Sequence, residues 1–470
     1  MSAHDDRYYL QHAPIGRALI HLCIPMMAAV SVGVGYNIVN AGFIGSLHST
    51  ALLAALTFGL PVFALLMAVG GVFGTGGGTA VSRLLGELET TDANGAEPIR
   101  ARIKRLSAFT VWGSVIAGVA VAAAGLLFLG PIVGLLGADA SAAAPTALYV
   151  GLLFAGAPVL VLAFAMEQLV RAEGATKASM IGIIASTVAN LVFDVLFILL
   201  LGWGVAGAGL ATVASNLVTI GYFVWHLWRR SAVIRIGVRW FRPDLATAKE
   251  VFGVGLSELL MSGFLVLSSL LLNNVAVAYG DGVLAAFGVA LRIVQLPEML
   301  AMGVFMGALP LLAASYGARA TDRLRGAIGQ SALWIAAIVA VFATPVFLFR
   351  GSVFTLFTDS PDVSGVGVLI LTAMLVSALF NGFTGLVITL FQATGQALPA
   401  TIMAVAQGLL LIPVLLIGNA VFGLTGVIWS MTISELLTFG IGLSLFAVHR
   451  RRLLSPTPAE AALVAEAIPA

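Results

Sequence analysis

Charge is what this sequence most lacks. Asp, Glu, Lys and Arg make up 9% of its 470 residues, where a soluble domain carries roughly 25%. So few charges cannot cover the surface of a soluble protein this size, which excludes an ordinary aqueous fold. Cysteine occurs once, as Cys23 inside an apolar run, so there is no disulfide framework and no thiolate metal site. A nucleotide-binding loop is missing too: Gly74-Thr-Gly-Gly-Gly-Thr79 is glycine-rich but has no lysine and sits within an apolar span. Close helix packing or a hinge explains that run better than phosphate binding, and ATP-driven chemistry is not supported. No intramembrane His/Glu cluster, Gly-x-Ser-x-Gly elbow or pair of hydrolase-type acids occurs, so neither enzyme activity nor a cofactor is expected. The net charge of +2 gives no sign of a nucleic-acid partner. Alternating strands of about ten residues, the mark of a membrane β-barrel, are absent.

What the sequence has is hydrophobic length. Apolar residues make up 60% of the chain and the mean hydropathy is +1.07. Runs such as Leu19 to Phe43, Ser107 to Gly130, Val205 to Trp228 and Ser331 to Phe349 reach or approach the ~20 residues that cross a bilayer as a helix. The first run is too long for a signal-peptide core and no cleavage site follows it, so it reads as a retained helix. The expected fold is an all-α polytopic membrane protein with twelve spans: 16–43, 51–84, 107–130, 145–170, 178–201, 205–227, 250–276, 283–315, 328–349, 364–390, 400–420 and 424–449. Glycine, at 53 positions, suits close helix contact in lipid.

The charges orient those spans. Arg100, Arg102, Lys104 and Arg105 fall on one side with Arg171, Lys177, Arg229 to Lys249, Arg319 to Arg325 and Arg450 to Arg452. The other side offers only Arg350, offset by Asp359 and Asp362. The positive-inside rule then places both termini in the cytoplasm. The two halves also repeat. Leu53-Ala-Ala-Leu-Thr-Phe-Gly59 returns as Leu284-Ala-Ala-Phe-Gly288, and Arg171-Ala-Glu-Gly174 as Gln392-Ala-Thr-Gly395. Gly204-Val-Ala-Gly207 returns as Gly423-Leu-Thr-Gly426. Each half has an even number of spans, so an axis along the membrane normal relates them. The expected division is an N-terminal six-helix lobe over 1–227, a basic cytoplasmic linker over 228–249 and a C-terminal lobe over 250–452. A disordered tail is expected over 453–470.

Those ordered motifs carry a resemblance. With Pro14-Ile-Gly-Arg17, Tyr36-Asn-Ile-Val-Asn40-Ala-Gly-Phe-Ile-Gly45, Asn190-Leu-Val-Phe-Asp194 and Ser315-Tyr-Gly-Ala318, the sequence resembles the multidrug and toxic compound extrusion (MATE) family. It is nearer the DinF-like branch than the NorM-like one. The resemblance covers nearly the whole chain. It implies a monomeric antiporter in a bacterial cytoplasmic (inner) membrane. A proton, or with less support a sodium ion, enters while an amphipathic, often cationic small molecule leaves, and two bundles alternate access to the cargo. The same superfamily contains flippases of lipid-linked oligosaccharides, the alternative reading. Such a flippase needs a basic cavity, and Arg292 is the only arginine deep in a span.

A carboxylate inside a membrane is costly unless partnered or protonated, so each one is a functional candidate. Asp194 leads: it lies mid-helix with Asn190 one turn earlier on the same face. The repeat sets Pro413 opposite it, so this charge belongs to one half only. The resemblance implies a cation site of Asp194, Asn190 and Thr212, with Asn40 as a further member, and sodium could sit at Asp194 and Asn190. Asn40 departs from the family, in which many similar chains carry Asp. Asn cannot titrate but can still offer a carbonyl oxygen. Tyr36 and Asn37 share a face with Asn40, and Pro25 lets the first helix bend. Glu298, beside Pro297, heads a stripe with Met302 and Met306 that suits varied organic cations, because Met adapts its shape. Expected substrate contacts are therefore Tyr36, Asn37, Glu298, Met302 and Met306. Glu258 and Glu435 are further acids within spans, the latter read as a helix–helix hydrogen bond. Glu167 is placed to pair with Arg171 one turn on, and His21 reads as interfacial.

Overall fold

The computed structural model describes residues 3–46, 49–139, 141–355 and 361–454. Among them the regular structure is entirely helical. α1 (Ala3–Gln11), α2 (Ile15–Ser46), α3 (Thr50–Glu89), α4 (Ala93–Leu127) and the short α5 (Leu129–Leu135) come first. α6 (Ala143–Ala155), α7 (Ala157–Ala172), α8 (Thr176–Asp194) and α9 (Gly204–Arg230) follow, with a π-helical segment, Val195–Leu200, continuing α8. Next are α10 (Leu245–Val277), α11 (Asp281–Gly317), α12 (Thr321–Leu348), α13 (Arg350–Thr355) and α14 (Pro361–Ala393). α15 (Ala397–Leu409), α16 (Leu411–Phe422) and α17 (Leu424–Leu453) complete the order. The tail expected after Leu453 falls almost wholly outside the described residues.

Eleven segments are long and apolar enough to cross a bilayer singly, and α6 with α7 passes as a pair bent by 55°. Counted as one span, the pair brings the number among the described residues to the twelve expected. The continuous helix expected over 145–170 is thus broken, for a local reason. Pro158 has no N–H for the helical ladder, and Gly156 leaves the space that the Val213 side chain fills.

By its contacts the chain forms two compact units. Unit 1 comprises Met1–Arg7, Ala28–Val81 and Gly95–Ser262; unit 2 comprises Tyr8–Met27, Ser82–Asn94 and Gly263–Ala470. Within unit 1 an apolar core joins α3, α6, α7 and α9 around Leu66, Leu153, Leu160 and Ala208. The glycine-rich run of α3 is packing, as its missing side chains require. A Cβ on Gly76 would strike the Val251 carbonyl of α10, and one on Gly255 would strike the Val72 carbonyl in return. Gly77 lies against the Thr110 hydroxyl of α4, and a Cβ on Gly78 would stand 3.1 Å from the Gln168 carbonyl of α7. Two neighbouring helices, α10 and α7, thus meet α3 at backbone distance, and α4 presses a threonine side chain against it, which only glycine permits.

Glu173, in the turn after α7, ties three segments of unit 1 together. Its Oε1 accepts from Arg7 at 3.2 Å and from the Ser231 hydroxyl at 2.7 Å. Trp112 donates to the Ile236 carbonyl at 2.9 Å, which pins the linker against α4. In unit 2 the guanidinium of Arg323 binds the carbonyls of Tyr9, Leu10 and Ala13 at 2.9, 3.0 and 2.6 Å. These include acceptors that a helix end leaves without an internal partner. A Cβ on Gly303 or Gly307 of α11 would meet the backbone of Met27 or Cys23, so α2 and α11 also pack closely there.

The repeated motifs are repeated turns. Gly174 and Gly395 end α7 and α14 in the left-handed region, at φ 82° and 72°. In both, the glycine N–H bonds the carbonyl three residues back, and the residue two on bonds the glycine carbonyl. Gly204 and Gly423 open the last span of each half at φ 52° and 57°. Glycine adopts such angles without the steric penalty a side chain incurs, which accounts for its recurrence at equivalent points.

Candidate functional site

Unit 1 contains a cavity of about 360 Å³ whose walls come from α2, α3, α6, α8 and α9. Its lining includes Tyr36, Asn40, Asn190, Asp194 and Thr212, so five of the residues singled out in the sequence converge here. α8 supplies Asn190 and Asp194 one turn apart, and the π segment begins directly after Asp194. In that segment the Leu201 N–H reaches back to Leu196 and the Trp203 N–H to Phe197. Such wide turns interrupt α-helices mostly at functional places.

Asp194 is 5% exposed. It is the only carboxylate among the lining residues, and no Arg, Lys or His lines the cavity. Among the described residues no ion pair reaches it. Its neighbours are neutral oxygens. The Tyr36 hydroxyl donates to Asn190 Oδ1. Tyr149, across the cavity, faces the Thr212 hydroxyl and lies within electrostatic reach of Asp194. Thr212, a lining residue, itself donates to the Ala208 carbonyl at 3.0 Å, so its hydroxyl oxygen can still accept. Asn40 Oδ1 is buried without a hydrogen-bond partner. A buried acceptor left unpaired is costly, so this carbonyl is poised for a donor or a cation. The donor set, one carboxylate with amide and hydroxyl oxygens, fits either a proton on Asp194 or a small hard cation.

Several lining residues were not singled out in the sequence. Tyr149 is a lone aromatic in an apolar run with nothing local to mark it. Gly59 makes its place, since a Cβ there would strike the ring. Asn216 and Ser215 also line the cavity, one turn beyond Thr212 on α9. Asn216 donates to the Thr212 carbonyl at 2.8 Å, which fixes its orientation.

The remaining candidates lie elsewhere. The Asn37 side chain is outside the described residues. Glu298, Met302 and Met306 lie on α11 in unit 2 and do not line this cavity. Met302 is 38% exposed, while Glu298 and Met306 are partly buried. Glu167 pairs with Arg171 at 2.7 Å, and Arg171, 2% exposed, also feels Glu258. That trio is a compact buried ion network within unit 1. His21 stacks on Tyr9 with ring centroids 3.8 Å apart.

A family model, MatE, matches this chain twice, over residues 25–196 and 256–417. The chain belongs to the MatE family. The two matched stretches start 231 residues apart and end 221 apart, the spacing of the internal repeat. The multidrug export protein MepA of Staphylococcus aureus (strain MSSA476) is 35% identical over 453 residues, covering 96% of this chain and 98% of that protein. Among solved structures, an outward-facing multidrug resistance MATE transporter of the MOP superfamily matches with TM-score 0.85 and 26% identity, over 96% of this chain and 99% of its own. A MOP superfamily transporter from Pyrococcus furiosus Vc1, whose binding pocket is described as reversed in polarity, matches with TM-score 0.85 and 25% identity at the same coverage. The MatE chain described here is thus a multi-span membrane transporter by family, and its relatives are export proteins.

Proposed function

We propose that this MatE protein is a secondary antiporter of a bacterial cytoplasmic membrane that exports amphipathic, often cationic small molecules by alternating access. The excess of basic residues on one side supports cytoplasmic termini. Inward proton movement drives the export, and Asp194 is the coupling acid. One observation carries this reading: a buried carboxylate faces a cavity of about 360 Å³, ringed by oxygens, with no basic partner. A fixed salt bridge would hold such a group permanently charged. Without one it is stable either protonated or beside a mobile cation, and the exchange between those states is what antiport needs.

The proton is favoured over sodium because a single carboxylate suffices for it. Sodium requires several oxygens at once, and Asn40 supplies a neutral carbonyl where many similar chains carry a second acid. Asn190, Thr212 and Tyr36 then position and solvate the Asp194 carboxyl. The flippase reading finds no support in this cavity, since pyrophosphate calls for basic side chains and none lines it. The test is efflux of a fluorescent cation from proteoliposomes under an imposed proton gradient and, separately, a sodium gradient. Proton-driven efflux is expected. Efflux driven by sodium alone overturns the choice of ion, and no efflux under either gradient overturns the exporter reading.

A further inference from the structure

Unit 1 carries a basic patch that the reading of Asp194 does not use. The start of α4, the end of α9 and the linker to α10, residues 95–105 and 228–250, hold ten Lys and Arg against three acids, Glu97, Asp244 and Glu250. In a chain whose net charge is only +2, that is a strong local excess. Little of it is spent inside the fold. Arg102 pairs with Glu250 at 2.7 Å, and Lys104 lies 3.8 Å from Glu97, whose own side chain is 70% exposed. Asp244 bonds the N–H and hydroxyl of Thr247. Among the described residues no ion pair reaches Arg229, Arg239, Arg242 or Lys249. The arginines of α12 in unit 2 differ: Arg323 binds backbone carbonyls, and Arg325 meets Asp322 at 3.6 Å and the Leu454 carbonyl at 3.0 Å.

The patch is built on a backbone that is tied down. Phe241 stacks on Phe109 of α4 with ring centroids 6.1 Å apart, and the Ile234 N–H donates to the Ser231 hydroxyl at 2.9 Å. Together with the Trp112 bond to Ile236, these ties bracket a 3₁₀ turn, Val238–Trp240. The turn sets one indole among the cations. Lys104 Nζ lies 5.1 Å and Arg239 Cζ 5.6 Å from the Trp240 ring centroid. The Trp240 Nε1 is buried without a hydrogen-bond partner, although a buried indole N–H usually finds one. Large apolar side chains beside these cations are exposed: Trp228 at 76%, Val238 at 59% and Leu245 at 71%. Water suits the arginines but not these groups, and hydrocarbon the reverse. The headgroup boundary of a bilayer suits both.

We propose that this patch, centred on Lys104, Arg239 and Trp240, is a docking surface for the anionic phospholipid headgroups of the adjoining leaflet. A phosphodiester supplies the negative charge that the cations lack and an oxygen acceptor for the Trp240 N–H. Trp228, Val238 and Leu245 then enter the boundary beside the acyl chains. Lipid held there keeps the linker between α9 and α10 at headgroup depth. The assignment uses the orientation read from the basic excess to name the cytoplasmic leaflet, and it does not depend on Asp194.

The experiment titrates the full-length protein, in a neutral detergent, with phosphatidylglycerol or phosphatidylcholine and counts bound lipids by native mass spectrometry. Phosphatidylglycerol should bind saturably and more tightly, and added salt should weaken it. Each basic residue near a headgroup is worth about a fivefold factor, so Lys104→Gln with Arg239→Gln should weaken the tightest site by about 25-fold. Trp240→Phe, which removes the N–H, should weaken it by roughly 3- to 10-fold. Arg325→Gln with Arg450→Gln removes the same charge from unit 2 and should leave that site unchanged. Should the Lys104 and Arg239 double variant fail to fold, Arg239→Gln alone, on an exposed turn, should still give about a fivefold loss. Equal binding of the two lipids overturns the proposal, as does an equal loss in the charge-matched unit 2 variant, which would reduce the patch to general positive charge. Displacement of the lipid by excess inorganic phosphate also overturns it, in favour of a soluble phosphoryl ligand. Drug transport is not the readout, so failure here is separate from failure of the Asp194 assignment.

Discussion

Replacing Asp194 with Asn removes one charge and almost no volume. The residue is 5% exposed and meets no basic side chain, so the substitution breaks no ion pair. The Asn amide can donate to the surrounding oxygens, and the loss of one hydrogen-bonded arrangement for another should change stability by no more than about 1–2 kcal/mol. The protein should therefore elute as a folded species with a melting point close to that of the parent. Transport should change far more. One pH unit across the membrane is worth about 1.4 kcal/mol per proton, which sustains about a tenfold concentration ratio of cargo for each proton exchanged. Asp194→Asn cannot exchange a proton for cargo, so its steady-state ratio should collapse to unity while downhill binding of cargo survives. The assay is accumulation of a fluorescent cation in proteoliposomes at a fixed pH difference, beside Asp139→Asn as an exposed acid between spans. A variant that still builds the parent's gradient refutes the argument from the lone buried carboxylate.

Other expectations follow from the same structure. Arg171→Ala leaves Glu167 without its cation, and breaking such a buried pair should cost about 3–5 kcal/mol; thermal unfolding should show the loss, with much of it recovered when Glu167→Gln is added. Gly76→Leu or Gly255→Leu drives a side chain into a carbonyl of the facing helix, for which overpacking costs of about 1–3 kcal/mol are a lower bound. Either should lower the midpoint of heat-induced aggregation, whereas Gly221→Leu, on open space in α9, should not. Asp244 caps α10, its carboxyl accepting from the Thr247 N–H at 2.7 Å and the Thr247 hydroxyl at 2.8 Å. Those bonds, the backbone one first, hold its pKa below the usual carboxylate value. A depressed folded-state pKa stabilises above the unfolded value and loses that contribution as pH falls through the lower, folded one. Hydrogen exchange at the first turn of α10 should accordingly quicken on acidification, and Asp244→Asn should flatten that dependence.

Sequence alone determined the solvent, the number of spans and the ordered repeat. Hydrophobic length against bilayer thickness is a local property, so each of the twelve expected spans fell on helical structure, although α4 and α12 begin earlier, at Ala93 and Thr321, where polar first turns extend them beyond the apolar run. The repeat was legible because left-handed turns demand glycine, and Gly174, Gly204, Gly395 and Gly423 mark them. Asp194 and Asn190 were legible because a carboxylate in an apolar run needs an explanation and one helical turn links the two. Tertiary structure alone decided which side chains meet. Tyr149 joins the cavity because Gly59, far away in sequence, leaves its ring a place. Segments 8–27 and 82–94 group with unit 2 although their neighbours in sequence belong to unit 1. Thr384, Gln407 and Glu435 come from three helices, and no spacing within one helix could reveal that they meet. Periodicity reports which face of a helix is apolar; which helix that face meets is settled by packing across the whole chain.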